Sequence, residues 1–169
     1  MFDLTIANGT LITAEATMHA DLGITDGRIA AIGKGLVGLE TIEASGMLVL
    51  PGAIDEHVHL QMPVGEFASS DDFYTGTVAA AYGGTTTVID FVEPKAGQSL
   101  VEAQAERRAE ADSKVVIDYG LHMTLSRADE GILAQVPESI KAGSATFKLY
   151  MAYDGLRLDD YGLLRTAAP

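Results

Sequence analysis

The chain of 169 residues contains no cysteine. That excludes a disulfide framework and a thiolate metal site, agrees with a reducing compartment, and leaves histidine and carboxylate side chains as candidate ligands. Positive charge is also scarce: 11 Lys and Arg stand against 24 Asp and Glu, a formal net charge of −13. The few basic residues are scattered, so there is no patch to meet phosphates and no nucleic-acid partner is expected. The acidic surface reads as an aid to solubility. No apolar run approaches the roughly 18 to 20 residues of a membrane helix, and the start lacks the basic, apolar and cleavage regions of a secretory signal. These absences lead to the expectation of a cytoplasmic protein without membrane contact. With 47% hydrophobic residues and little low-complexity sequence, the chain is globular.

What is present centres on Gly52-Ala53-Ile54-Asp55-Glu56-His57-Val58-His59-Leu60. It follows the apolar run Met47-Leu48-Val49-Leu50 and the pair Pro51-Gly52, and reads as a short buried strand ending on polar residues. Side chains alternate along a strand, so His57 and His59 face the same way and can grip one cation. Imidazoles suit zinc, but catalytic zinc sites usually hold about three protein ligands plus water, so other ligands must come from elsewhere. The pair lies where an apolar strand meets a polar loop, the place where α/β folds build sites.

Residues 1–50 are rich in strand and turn signals. Phe2-Asp3-Leu4-Thr5-Ile6 alternates, Asn8-Gly9 reads as a two-residue hairpin turn, and Leu11-Ile12 resumes a strand. A second hairpin turns at Asp26-Gly27, and Thr41-Ile42-Glu43-Ala44 is a further short strand. This β-sandwich module is too thin to bury both faces alone.

After residue 50, strands and helices alternate. Ser69-Ser70-Asp71-Asp72 offers N-caps for a helix over Phe73–Tyr82 that stops at Gly83-Gly84. Thr85–Val92 is a buried strand, 99–112 a polar helix, 115–125 a strand, 129–141 a helix carrying Pro137, and 145–152 a fourth strand. Asp159-Asp160 opens another helical pattern that runs to the last residues without a glycine cap. Four βα units make a parallel sheet with helical crossovers, either open or part of an eight-fold barrel. The expectation is the N-terminal part of a longer protein in which a β-sandwich module, 1–50, precedes the first half of a (βα)8 TIM-like barrel, 51–169.

Three segments carry a resemblance: Pro51-Gly52-Ala53-Ile54-Asp55-Glu56-His57-Val58-His59, Gly83-Gly84-Thr85-Thr86-Thr87-Val88-Ile89-Asp90-Phe91, and Phe147-Lys148-Leu149-Tyr150-Met151-Ala152-Tyr153. Together they resemble the amidohydrolase superfamily and, within it, the dihydropyrimidinase and D-hydantoinase family, over nearly the whole chain. Asp71-Asp72-Phe73, Gly76-Thr77 and Asp118-Tyr119-Gly120-Leu121-His122 strengthen the match. The resemblance implies hydrolysis of a cyclic amide, opening a dihydropyrimidine or 5-substituted hydantoin ring to an N-carbamoyl amino acid. It implies two divalent metal ions, favoured as Zn2+, with His57 and His59 binding one. Lys148, carboxylated by carbon dioxide on its amine, would bridge both across roughly 3.5 to 4 Å, with a bridging hydroxide as nucleophile. A plain ammonium would repel zinc, whereas the carbamate is an anionic two-oxygen ligand.

Tyr153, five residues after the lysine, matches the tyrosine that hydrogen-bonds the developing oxyanion. Met62, Pro63, Phe67 and Tyr150 correspond to loops flanking the exocyclic group of the substrate, a cyclic ureide or imide, and a homo-oligomer, a tetramer in the family, is implied. His122 is assigned to the core or to support of the ligands, and Asp90 to hydrogen bonding within the barrel. The family takes further histidines and an aspartate from later strands, so these residues alone are not expected to turn over substrate. Dihydroorotase, which has an arginine where this chain has Gln61, and allantoinase are the enzymatic rivals. A non-catalytic dihydropyrimidinase-related scaffold is the rival of another class.

Overall fold

The computed structural model describes residues 1–64 and 66–167. Gly65, within the 62–72 loop, and Ala168 and Pro169, at the end of the last helical pattern, lie outside the described residues. Two compact units are present, Met1–Pro51 and Gly52–Pro169.

The first unit is one sheet of β1 (Phe2–Ile12), β2 (Thr17–Thr25), β3 (Arg28–Gly33), β4 (Gly38–Glu43) and β5 (Leu48–Val49). Its order is β3-β2-β1-β4, with β5 also pairing β1; β2 is antiparallel to β1, and β4 and β5 are parallel to it. Asp26 (φ 51°) and Gly27 (φ 69°) form the tight β2–β3 turn, both left-handed as a type I′ hairpin requires.

Asn8-Gly9 is not a turn. β1 runs straight through it, and the register with β2 shifts between Ile6 and Gly9. Asn8 is left-handed (φ 61°), but its N–H is taken by the Asp21 carboxylate at 2.8 Å, so the extra residue is absorbed as a bulge. Leu11, Ala20 and Leu22 pack with Ile6 and Val49, while Ile29, Ile32, Leu39, Ile42 and Leu48 remain exposed.

The short buried strand expected over 52–60 is strand only at Ala53–Asp55, and the apolar run before it is a separate strand in another sheet. β5 pairs β1, whereas β6 (Ala53–Asp55) pairs the second unit's β9 (Thr85–Val92) and is exposed. Pro51, which has no N–H to donate, separates them. A Cβ on the adjacent Gly52 would lie 2.1 Å from Thr86. The backbone passes too close there for any side chain.

The second unit also contains the two-residue hairpin β7 (Pro63–Val64) and β8 (Phe67–Ala68), α1 (Phe73–Tyr82), α2 (Leu100–Ala111), β10 (Asp118–Leu125), α3 (Glu130–Leu133), α4 (Val136–Lys141), β11 (Thr146–Leu149) and α5 (Asp160–Ala167). Its parallel sheet has the order β11-β10-β9-β6. Each strand therefore neighbours the next in sequence, as in a barrel and unlike a doubly wound sheet, whose order reverses. α1 and α2 are closed by capping boxes at Asp72/Thr75 and Ser99/Glu102. The single helix expected over 129–141 is two short helices, because Pro137 occupies the first turn of α4, where its missing N–H is harmless.

Alternation along the strands divides the sheet. Val88, Val92, Leu121, Met123 and Leu125 are buried with Leu60, Phe73, Leu100, Ala103 and Ile132 on the helix side. Thr87, Ile89 and Phe91, then Gly120 and His122, then Thr146 and Lys148 take the opposite, inner face.

Candidate metal centre

Phe91 is the hub of the inner face. The His57 and His59 rings each lie 4.8 Å from its ring centroid, His122 lies 5.1 Å away, and the Lys148 Nζ is 5.2 Å from it. His57 and His59 sit 5.2 Å apart, edge to face. They follow β6 rather than lying in it, yet both turn to the same ring, while the intervening Val58 and the following Leu60 pack towards the helices.

The four groups differ in what holds them. His122 Nε2 lies 3.0 Å from the Glu56 carbonyl, an acceptor only, so that nitrogen donates; Nδ1 then accepts from the Thr146 hydroxyl at 2.5 Å. Both nitrogens of His122 are engaged within the protein, as a supporting role requires. His59 Nδ1 is buried and has no hydrogen-bond partner. Burial, and then the charge of His57, push the His59 pKa down; Asp90 and Glu93 oppose them, and Lys148 adds the smallest lowering influence. A lowered pKa favours the neutral imidazole, the ligating form. The His57 backbone N–H donates to Asp55 at 3.1 Å.

Lys148 also lies 5.1 Å from the Tyr150 ring. Tyr150 donates its hydroxyl to Glu93 at 3.2 Å, and burial, then Glu93, raises its phenol pKa. Tyr153 meets Tyr150 edge-on at 5.7 Å; it is 73% exposed and left-handed (φ 70°), an unusual conformation for a bulky residue. It reaches the lysine only through Tyr150. Met62 and Pro63 line a cavity of about 350 Å³ with Phe91, Glu93 and Leu156. Phe67 does not line it and is 79% exposed on its hairpin.

Sequence reasoning passed over Phe91, although the alternation of 85–92 places it opposite the buried Val88 and Val92. Glu93 and Thr146 carried no local signal, because each acts on a side chain brought from another strand.

Two imidazoles on one face, one with a buried nitrogen free of protein partners, and an amine across the same ring form a donor set that fits a divalent cation. Among the described residues, no group of three or more His, Asp and Glu gathers closely enough to hold one. His57, His59 and Lys148 are fewer donors than a complete coordination shell requires.

The sequential parallel sheet, with helices on one face and imidazoles and a lysine on the other, defines a partial (βα)8 barrel of the hydrolase type. The chain belongs to the amidohydrolase family, whose sequence profile matches residues 48–157. It is 46% identical to the D-hydantoinase of Geobacillus stearothermophilus over 165 residues, covering 95% of this chain and 35% of that protein. The dihydropyrimidinase of Rattus norvegicus is 39% identical over 165 residues, with 90% and 31% covered. A D-hydantoinase structure superposes with a TM-score of 0.92 at 42% identity, covering 98% of this chain and 36% of that one. The chain therefore spans about a third of the length of the curated relatives it matches.

Proposed function

We propose that these residues supply the first part of the metal centre of a cyclic amidase that opens a dihydropyrimidine or 5-substituted hydantoin ring to an N-carbamoyl amino acid. The observation that carries this reading is the convergence of His57, His59 and Lys148 on Phe91, with the His59 Nδ1 left without a protein partner. The names of the relatives agree with it.

In this reading His57 and His59 would hold one divalent metal, zinc by donor type, and Lys148, carboxylated on Nζ, would supply a further anionic ligand. When bound, such cations lower the pKa of water and polarise an amide carbonyl. The chain's own groups do the rest. Phe91 keeps the imidazoles oriented and excludes water from their far side. His122, fixed by Glu56 and Thr146, keeps the β10 strand in register with its neighbours. The Tyr153 hydroxyl donates to the oxyanion that develops on the attacked carbonyl, and Tyr150 and Met62 flank the ring substituent.

Gln61 favours this substrate class over a carboxylate-bearing ring. The side chain two residues after His59 is this neutral amide, whose oxygen accepts from Lys114 at 2.6 Å. The remaining ligands and the proton-transfer group come from outside these 169 residues, so the expected property of the chain itself is metal uptake rather than turnover.

Metal content measured by plasma mass spectrometry on protein purified without chelator tests the proposal. About one zinc per chain is expected, lost in His57→Ala and in Lys148→Ala. Zinc content unaffected by both substitutions would overturn the assignment of the ligands.

A further inference from the structure

We infer that Arg107, with Asp90, is a positioning pair that sets the His57–His59 segment against Phe91 from the opposite side of the sheet. The inference rests on the metal-centre reading above for its purpose, though not for its geometry. One terminal nitrogen of Arg107 donates both to the Leu60 carbonyl and to the Asp90 carboxylate. The other terminal nitrogen donates to Glu110 at 2.6 Å, and the guanidinium carbon lies 4.5 Å over the Phe73 ring.

Leu60 directly follows His59, and Asp90 directly precedes Phe91. Because neighbours in extended chain point to opposite faces, holding Leu60 and Asp90 at one guanidinium on the helix side fixes where His59 and Phe91 meet on the other. The residue after His59 is thus held at its carbonyl. A second tie lies one residue on, where Lys114 donates to Gln61 at 2.6 Å.

The pair is placed to be rigid. Asp90 is 1% exposed and the Arg107 side chain 12%. A planar guanidinium spans two acceptors in fixed geometry, which an ammonium on a flexible stem does not reproduce. Groups that orient metal-binding histidines commonly govern affinity as strongly as some ligands do. Arg107 and Asp90 also line the cavity that Met62 and Pro63 line, and they reach the imidazoles through the Leu60 carbonyl and the backbone that joins Asp90 to Phe91.

The test is histidine-specific NMR on the metal-free 169-residue protein, whose 4 histidines give a countable set of ring resonances. Wild type is compared with Arg107→Lys and Asp90→Asn. Arg107→Lys keeps a cation beside Asp90 and is the variant expected to fold. The expected result is that the His57 and His59 ring protons, lying beside Phe91, move in both variants while His19 stays and the far-ultraviolet circular dichroism is unchanged. Zinc affinity should fall about 10-fold or more in parallel.

A folded variant with all four histidine resonances at their wild-type positions overturns the inference. Loss of the fold in both variants also overturns it, since the pair would then hold the whole unit rather than this segment. Wild-type protein that binds no zinc overturns the metal reading instead, and the metal-free spectra still decide the positioning role.

Discussion

The His59 ring stacks on Phe91, with centroids 4.8 Å apart and planes 22° from parallel. Phe91 is only 6% exposed, and the polar rings of three histidines and the Lys148 amine crowd around it. An apolar ring at the centre of a polar face spaces the groups around it and keeps their inner sides dry.

Phe91→Ala should therefore damage fold and site together. Core Phe→Ala changes cost about 3–5 kcal/mol, and the lower end, about 3 kcal/mol, is expected where most neighbours are polar. Urea denaturation measures the loss. Phe91→Leu should restore most of the stability but not the zinc uptake, because the flat surface on which His59 stacks is gone.

Tyr119 provides an alkaline signature. Burial and the hydrogen bond it donates to Asp112 push its phenol pKa up to about 12, above the ordinary value near 10. Between those values the unfolded chain has lost the proton that the folded chain keeps, so the unfolded state binds fewer protons and stability falls as pH rises. Tyr119→Phe should flatten this decline between pH 10 and about 12, observed as a shallower drop in melting temperature.

Two glycines in the first unit should respond differently to alanine. A Cβ on Gly38 would lie 2.7 Å from the Glu40 carbonyl oxygen and 2.8 Å from the Thr5 nitrogen, both backbone atoms of paired strands that cannot yield. Overpacking of this kind costs about 1–3 kcal/mol. At Gly33 the nearest atom is a Leu36 methyl at 3.7 Å, an ordinary contact. Gly38→Ala should lower the denaturation midpoint clearly and Gly33→Ala should not.

Asp72 ties the start of α1 to acid sensitivity. Its carboxylate accepts from the Tyr74 and Thr75 backbone N–H groups at 3.0 and 2.8 Å, and the Thr75 N–H is the largest influence holding its pKa below the usual value. A carboxyl with a lowered folded pKa contributes stability above its ordinary value and loses it as pH falls through the lowered one. Asp72→Asn keeps an acceptor, so it should retain most of the stability at neutral pH. It should also lose less than wild type on acidification, as read from melting curves across the acid range.

Much of this molecule was legible in local sequence. Asp72, Ser99 and Gly83-Gly84 bound α1 and α2 because caps and left-handed glycines act within a few residues of themselves. Asp26-Gly27 set its hairpin for the same reason. Asn8-Gly9 carries the same local signal and gives a bulge, because Asp21, a residue of the neighbouring strand, supplied the acceptor for its N–H. Pro137 split one helix into two through a property of its own ring, but where the second helix began depended on packing.

The sequence by itself determined which residue types lie at the candidate site and which face of each strand they take, since alternation and the His57, His59 and Lys148 motifs are local facts. Only tertiary structure decided that these side chains meet at Phe91. It also decided that His122 is occupied by Glu56 and Thr146, that Gln61 is drawn to Lys114, and that Arg107 grips both Leu60 and Asp90. Each of those relationships joins residues far apart in the chain, and strand register and helix packing, which no local preference encodes, set their distances.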